Sequence, residues 1–91
     1  MNIGKAIKEI RKRKGISQKE LADRIGISVN ALCRIEKRKT FPWMKHINMI
    51  CDALGVAQSV LMLFSISDED IPEHKRELFH TLAEPLKDNI L

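Results

Sequence analysis

Asn30, Cys33, Arg34 and Lys37 recur at intervals of three and four residues, which sets them along one stripe of an α-helix. Asn brings an amide that both donates and accepts, Arg a planar fork of donors, Lys a mobile ammonium and Cys a small, weakly polar tip. Such a stripe suits the DNA major groove, which admits one helix and displays base-edge donors and acceptors in a sequence-dependent order. Arg34 fits guanine, with a phosphate contact as the alternative, and Asn30 fits adenine, with a solvated amide as the alternative. Cys33 reads as a small groove-facing side chain; the alternative is a redox-sensing thiol with Arg34 and Lys37 as neighbouring cations.

No second constellation competes with this one. Cys33 and Cys51 fit neither a Cys-x-x-Cys motif nor a disulfide framework, and Cys51 falls on a core face. His46, His74 and His80 lack metal-ligand spacing and any nearby acid, base or nucleophile with catalytic logic, so solvated or packed side chains are expected. Paired carboxylates and a Gly-rich phosphate loop are missing too, so a binding protein is expected, with no enzymatic activity, no metal and no cofactor.

The elements that would carry the stripe are helical throughout, and the fold class is all-α. Ile3, Ala6, Ile7 and Ile10 make one apolar face, closed after Arg13 and Lys14 by Gly15. Ser17-Gln18-Lys19-Glu20 fits a capping box, with the Ser17 hydroxyl accepting from the Glu20 amide and the Glu20 side chain reaching back. The helix it opens faces inward through Leu21, Ala22 and Ile25, and Gly26 ends it in a left-handed conformation, with Ile27 plugging the corner. Ser28 caps a third helix whose Leu32 and Ile35 face the core. Lys37 to Pro42 is a basic loop, and Pro42 suits the entrance to a fourth helix with Ile47, Ile50, Cys51 and Leu54 inward and Gly55 as its stop. Val60 to Phe64 is a run of five apolar residues, more than a short helix can bury against its own domain, so part of it is expected at a subunit interface. After an acidic connection over 65–70, Ile71, Leu78, Phe79, Leu82, Leu86 and Ile90 mark one more helical stripe, which Pro85 should kink or divide.

The net charge of +4 conceals a stronger segregation: residues 1–46 sum to +9 and residues 47–91 to −5. A basic half of this kind suits a polyanion, although a solvated face would carry the same charge. Ninety-one residues support one modest core, for which a partner subunit would help. No stretch reaches the roughly 20 apolar residues of a membrane span, and the basic N-terminal residues lack the apolar run of a signal peptide, so a cytoplasmic protein is expected.

Over residues 3–64 the chain resembles the lambda-repressor-like, Cro-type (Xre-like) helix-turn-helix regulators. The resemblance runs through Arg11, Gly15, Ser17-Gln18, Leu21-Ala22, Gly26-Ile27-Ser28, Leu32, Ile35-Glu36, Pro42, Ile50, Ala53-Leu54-Gly55-Val56 and Leu61. It implies a five-helix DNA-binding domain over residues 1–65, dimeric on double-stranded DNA, with residues 66–91 as a C-terminal helical extension for packing or dimerisation. It further implies that Val29, Asn30, Cys33 and Arg34 face bases, and that Gln18 bonds a phosphate and buttresses the reading helix. Ser28, Lys37, Arg38, Lys39 and Thr40 would join Gln18 on the backbone, Arg11 and Glu36 would form an internal salt bridge, and Val60, Leu61, Leu63 and Phe64 would meet the second subunit. The chain departs from the family at Lys37-Arg38, where Gly or Asn-Gly is frequent, and at Trp43, where a Ser or Thr cap is frequent. Trp43 is expected as a packing anchor, with base stacking or contact to the sugar-phosphate backbone as the alternatives. The function expected is a sequence-specific regulator, a repressor on a two-fold operator. The alternative is an antitoxin or anti-repressor whose fifth helix and tail bind another protein.

Overall fold

A computed structural model describes all 91 residues. Six α-helices follow one another: α1 (Ile3–Arg13), α2 (Gln18–Ile25), α3 (Val29–Glu36), α4 (Met44–Leu54), α5 (Gln58–Ser65) and α6 (Arg76–Ile90), with two single 3₁₀ turns between α5 and α6. The core gathers one face from each of the first five, centred on Ile7, Ile10, Leu21, Leu32, Ile50 and Leu61. α1 lies against α5 and α3, while α2 lies against α4 and α3.

The corners follow local chemistry. Ser17 Oγ accepts from the Glu20 amide at 3.0 Å, but the Glu20 carboxylate faces Arg24 at 3.8 Å instead of returning to the cap, so only half of the expected capping box forms. Gly26 takes φ 74°, its neighbour Ile27 donates to the Ala22 carbonyl, and Ser28 Oγ accepts from the Ala31 amide at 3.0 Å. Helix α2 therefore ends and α3 begins within three residues. Pro42 is buried two residues before α4, which Trp43 opens without a side-chain cap.

Two backbone features were not legible from periodicity. Gly4 lies where α1 crosses the C-terminal end of α3: a Cβ there would stand 2.2 Å from the Ile35 carbonyl oxygen and 2.8 Å from that of Glu36. Arg38 adopts φ 62°, the left-handed region that disfavours a side chain, and this turn lets the Lys39 and Thr40 amides bond the Arg34 carbonyl at 2.9 and 3.3 Å.

The chain after α5 departs most from expectation. Leu61 and Phe64, expected at a dimer interface, are taken into the core because α5 packs along α1; Val60, Met62 and Leu63 stay half-buried. Helix α6 runs unbroken through Pro85, and Thr81, whose carbonyl the proline ring cannot bond, belongs to an exposed turn open to water. Its inward residues are Ala83 and Lys87, not the leucine stripe. The Lys87 ammonium and the Arg13 guanidinium lie 5.3 and 5.5 Å from the Phe64 ring centroid, and Arg13 bonds Asp88 at 2.8 Å. Leu78, Leu82, Leu86 and Ile90 are thereby left facing water. Ahead of α6, the Met1 amino group meets Asp70 and Glu69 at 2.8 and 3.1 Å and holds both carboxyls below the usual carboxylate range.

These contacts set two opposite expectations for thermal unfolding. Gly4→Ala should lower the melting temperature by more than about 10 °C, because the obstructing atoms are backbone and a one-carbon overlap there costs about 3 kcal/mol. Arg38→Gly should raise it by about 4–8 °C, by relieving roughly 1 kcal/mol of left-handed strain.

Candidate nucleic-acid interface

One buried network sets the roll of α3. Arg11 Nε and Nη2 on α1 donate to the two Glu36 carboxylate oxygens at 2.9 and 3.1 Å, and Gln18 Nε2 on α2 donates to Glu36 Oε1 at 2.9 Å. Arg11 Nη1 also donates to the Ile16 carbonyl at 2.9 Å in the α1–α2 turn. The Arg11 and Glu36 side chains retain only 8% and 2% of their surface, so the pair is desolvated and fully bonded. Three helices thus meet on one carboxylate at the last residue of α3, and the Arg11 guanidinium ties it to the α1–α2 turn.

With Leu32, Ile35 and Glu36 inward, the opposite face of α3 points to solvent. Val29, Asn30 and Arg34 are exposed, and Cys33 and Ala31 are half-buried at the margin of the stripe. The Asn30 amide and the Arg34 guanidinium have no hydrogen-bond or ionic partner within the chain, so their donors are available to a ligand. Beyond α3, Lys37, Lys39 and Thr40 are exposed, and both lysines are unpaired. Arg38 is different: its Nη2 lies 3.6 Å from Glu69 Oε1, which partly neutralises it. Ser28 uses its hydroxyl as the α3 cap, and Gln18 directs its amide to Glu36.

Sequence reasoning missed Gly4 and Phe41 and turned Trp43 inward. Gly4 permits α1 to approach the end of α3, and an isolated glycine in a helical pattern signals only weakened propensity. Phe41 and Trp43 are 71% and 78% exposed beside the basic loop. Trp43 is therefore not the packing anchor expected from its size: the chain is extended here, and the buried Pro42 takes the inward position between two outward aromatics. His80, read as a solvated or packed side chain, is exposed and stands 2.6 Å from Asp68 Oδ1, because the 3₁₀ turns return the chain onto α6.

Elsewhere the surface offers less. The largest groove, about 630 Å³, separates α1 from α6 and mixes Lys5, Lys8, Lys12 and Lys87 with Glu9 and Glu84, so no one charge dominates it. No three His, Cys, Asp or Glu side chains gather as metal ligands, Cys51 is a core thiol whose burial pushes its pKa up, and no single helix is long and apolar enough to cross a membrane.

A double-mutant cycle tests the network. Arg11→Met and Glu36→Leu should each destabilise the fold by about 3–5 kcal/mol in urea unfolding, because each strands a buried charge. The double variant should lose distinctly less than the two losses together.

No curated protein is similar enough to match the chain. The helix-turn-helix family model does match, over residues 7–57, a span that holds the Arg11–Glu36 pair, the Gly26 corner, all of α3 and the basic loop. The matched span thus carries the exposed polar stripe of α3, the tight corner that turns it outward and the unpaired cations around it, and the chain belongs to the Xre/lambda-repressor-like helix-turn-helix family of DNA-binding regulators.

Proposed function

We propose that this regulator is a repressor that recognises a two-fold operator as a homodimer, with α3 of each subunit in the major groove, and that it acts by occluding polymerase. The observation that carries the reading is the state of the α3 face: Asn30 and Arg34 are exposed with every side-chain donor free, on a helix whose roll is held by a buried ion pair. Free, preoriented donors are what base recognition needs, because a donor already bonded inside the protein would have to break that bond first. Arg34 reads guanine, Asn30 reads adenine, and Val29 and Cys33 supply the small apolar contacts between them. Lys37, Lys39 and Thr40 hold the phosphate backbone, joined by the hydroxyl proton that the Ser28 cap leaves free and by the second amide N–H of Gln18, and Arg38 takes part in competition with Glu69.

Dimerisation follows from the same geometry, since two recognition helices about one DNA turn apart fit a palindromic site. Of the α5 residues, Val60 and Leu63 retain the exposure such a contact requires, whereas Leu61 and Phe64 do not. The larger unpartnered surface is the ridge of Leu78, Leu82 and Leu86 on α6, and we assign the main two-fold contact to it. That ridge also favours the second reading, an antitoxin or anti-repressor whose extension binds a different protein.

Selection of bound duplexes from a random-sequence pool should yield one palindromic consensus. Against it, Arg34→Ala should cost about 1–3 kcal/mol and relax preference at a single position, while Lys39→Ala should weaken all duplexes alike and reduce the salt slope by about one. A pool that emerges without any consensus refutes base reading. Sedimentation equilibrium should show a dimer that Leu82→Asp converts to monomer with weaker operator binding; a wild-type protein monomeric at all concentrations would leave the ridge to another partner.

A further inference from the structure

Trp43 and Phe41 are the most exposed large apolar side chains in the protein, at 78% and 71%, and Met44 beside them is 61% exposed. Their placement is built. The left-handed turn at Arg38 folds the loop back onto the end of α3, where the Lys39 and Thr40 amides bond the Arg34 carbonyl. The buried Pro42 then pins the segment, and the residues on either side of it point outward. The result is a cleft of about 450 Å³ whose lining joins two chemistries, the rings of Phe41 and Trp43 and the polar groups of Ser28, Asn30, Arg34 and Thr40.

An occupant must satisfy both. A purely apolar protein surface would bury Arg34 and Asn30 without partners, which is costly. A small anion would leave the rings in water. Duplex DNA offers both chemistries at the required scale: its base edges take the donors of Asn30 and Arg34, its phosphate oxygens accept from Ser28, Thr40 and the nearby lysines, and the deoxyribose rings between the phosphates present C–H faces to an aromatic ring. Lys37, Lys39 and Lys45 are exposed and unpaired, so the charge is complementary. The cleft is also continuous with the α3 stripe through Asn30 and Arg34.

Resting on the DNA-binding reading, we propose that Phe41 and Trp43 form an aromatic clamp that seats against the sugars of the DNA strand bordering the groove entered by α3. The clamp extends the interface beyond the cations and adds affinity that salt does not screen.

The protein carries its own reporter, since Trp43 is its only tryptophan and it contains no tyrosine. A fluorophore-labelled duplex, taken from the random-pool selection or of mixed sequence at low salt, reports binding by anisotropy while Trp43 emission is followed in the same titration. Emission should change with the same midpoint as anisotropy. Trp43→Ala and Phe41→Ala, both at exposed positions, should each weaken binding about tenfold with an unchanged salt slope, and Trp43→Phe should recover most of the loss. Anisotropy that rises while emission stays constant, or a Trp43→Ala protein that binds as tightly as wild type, overturns the clamp and leaves DNA binding intact. Emission that changes with protein concentration in the absence of DNA assigns the rings to a second copy of the chain and overturns it as well. Absence of any duplex binding removes both readings together.

Discussion

The protein turns on a single carboxylate. Glu36 terminates an eight-residue helix that is too short to be stable in water by itself, so its persistence and its roll both come from what holds its ends. At one end Ser28 caps it directly after the Gly26 corner; at the other, Glu36 receives three donors from two other helices. A hydrophobic contact at this point would stabilise comparably, since a buried ion pair gives little net stability over a packed apolar pair. What the ion pair adds is direction: two parallel N–H bonds from a planar guanidinium fix the carboxylate plane, and so fix which residues of α3 face outward.

The same pairing solves an electrostatic conflict. An unpaired anion at the end of α3 would oppose the cations around it, yet Glu36 is consumed internally, and its neighbours Arg34, Lys37 and Lys39 are left unpaired toward solvent. The acidic half of the chain is disposed differently. Asp88 is drawn to Arg13 on α1 and Glu69 to Arg38 at the edge of the basic loop, so the extension neutralises cations at the margins and leaves those around α3 free. Charge segregation visible along the chain becomes, in three dimensions, a cationic face around α3 with an acidic element at its border.

The hydrophobic material is divided along comparable lines. The core is served by the first five helices, and α6 contributes little to it beyond the Lys87 ammonium and the Ala83 methyl. A lysine stem lying over Phe64 with its charge on the ring face replaces the leucine that an inward stripe would have supplied. The leucines so released and the pair Phe41 and Trp43 are prominent unpartnered apolar surface, and they occupy two separate places: one on the extension, one beside α3.

Local rules were sufficient for most of the framework. Spacing of three and four identifies the inward faces of α1 to α4, and Ser17, Gly26, Ser28 and Gly55 each act through bonds and dihedral angles confined to a few neighbouring residues, which a sequence displays directly. The polar stripe of α3 is legible for the same reason, once its helix and corner are located. Other features depend on what lies opposite a residue, and spacing carries no such information. Gly4 is required by the backbone of α3, the outward direction of Trp43 by the burial of Pro42, the inward direction of Lys87 by the ring of Phe64, and the loss of Leu61 and Phe64 from the surface by the approach of α1. Periodicity establishes that a helix has two faces; only the packed neighbours decide which of them meets the core, because that choice is made by contacts between segments distant in the chain.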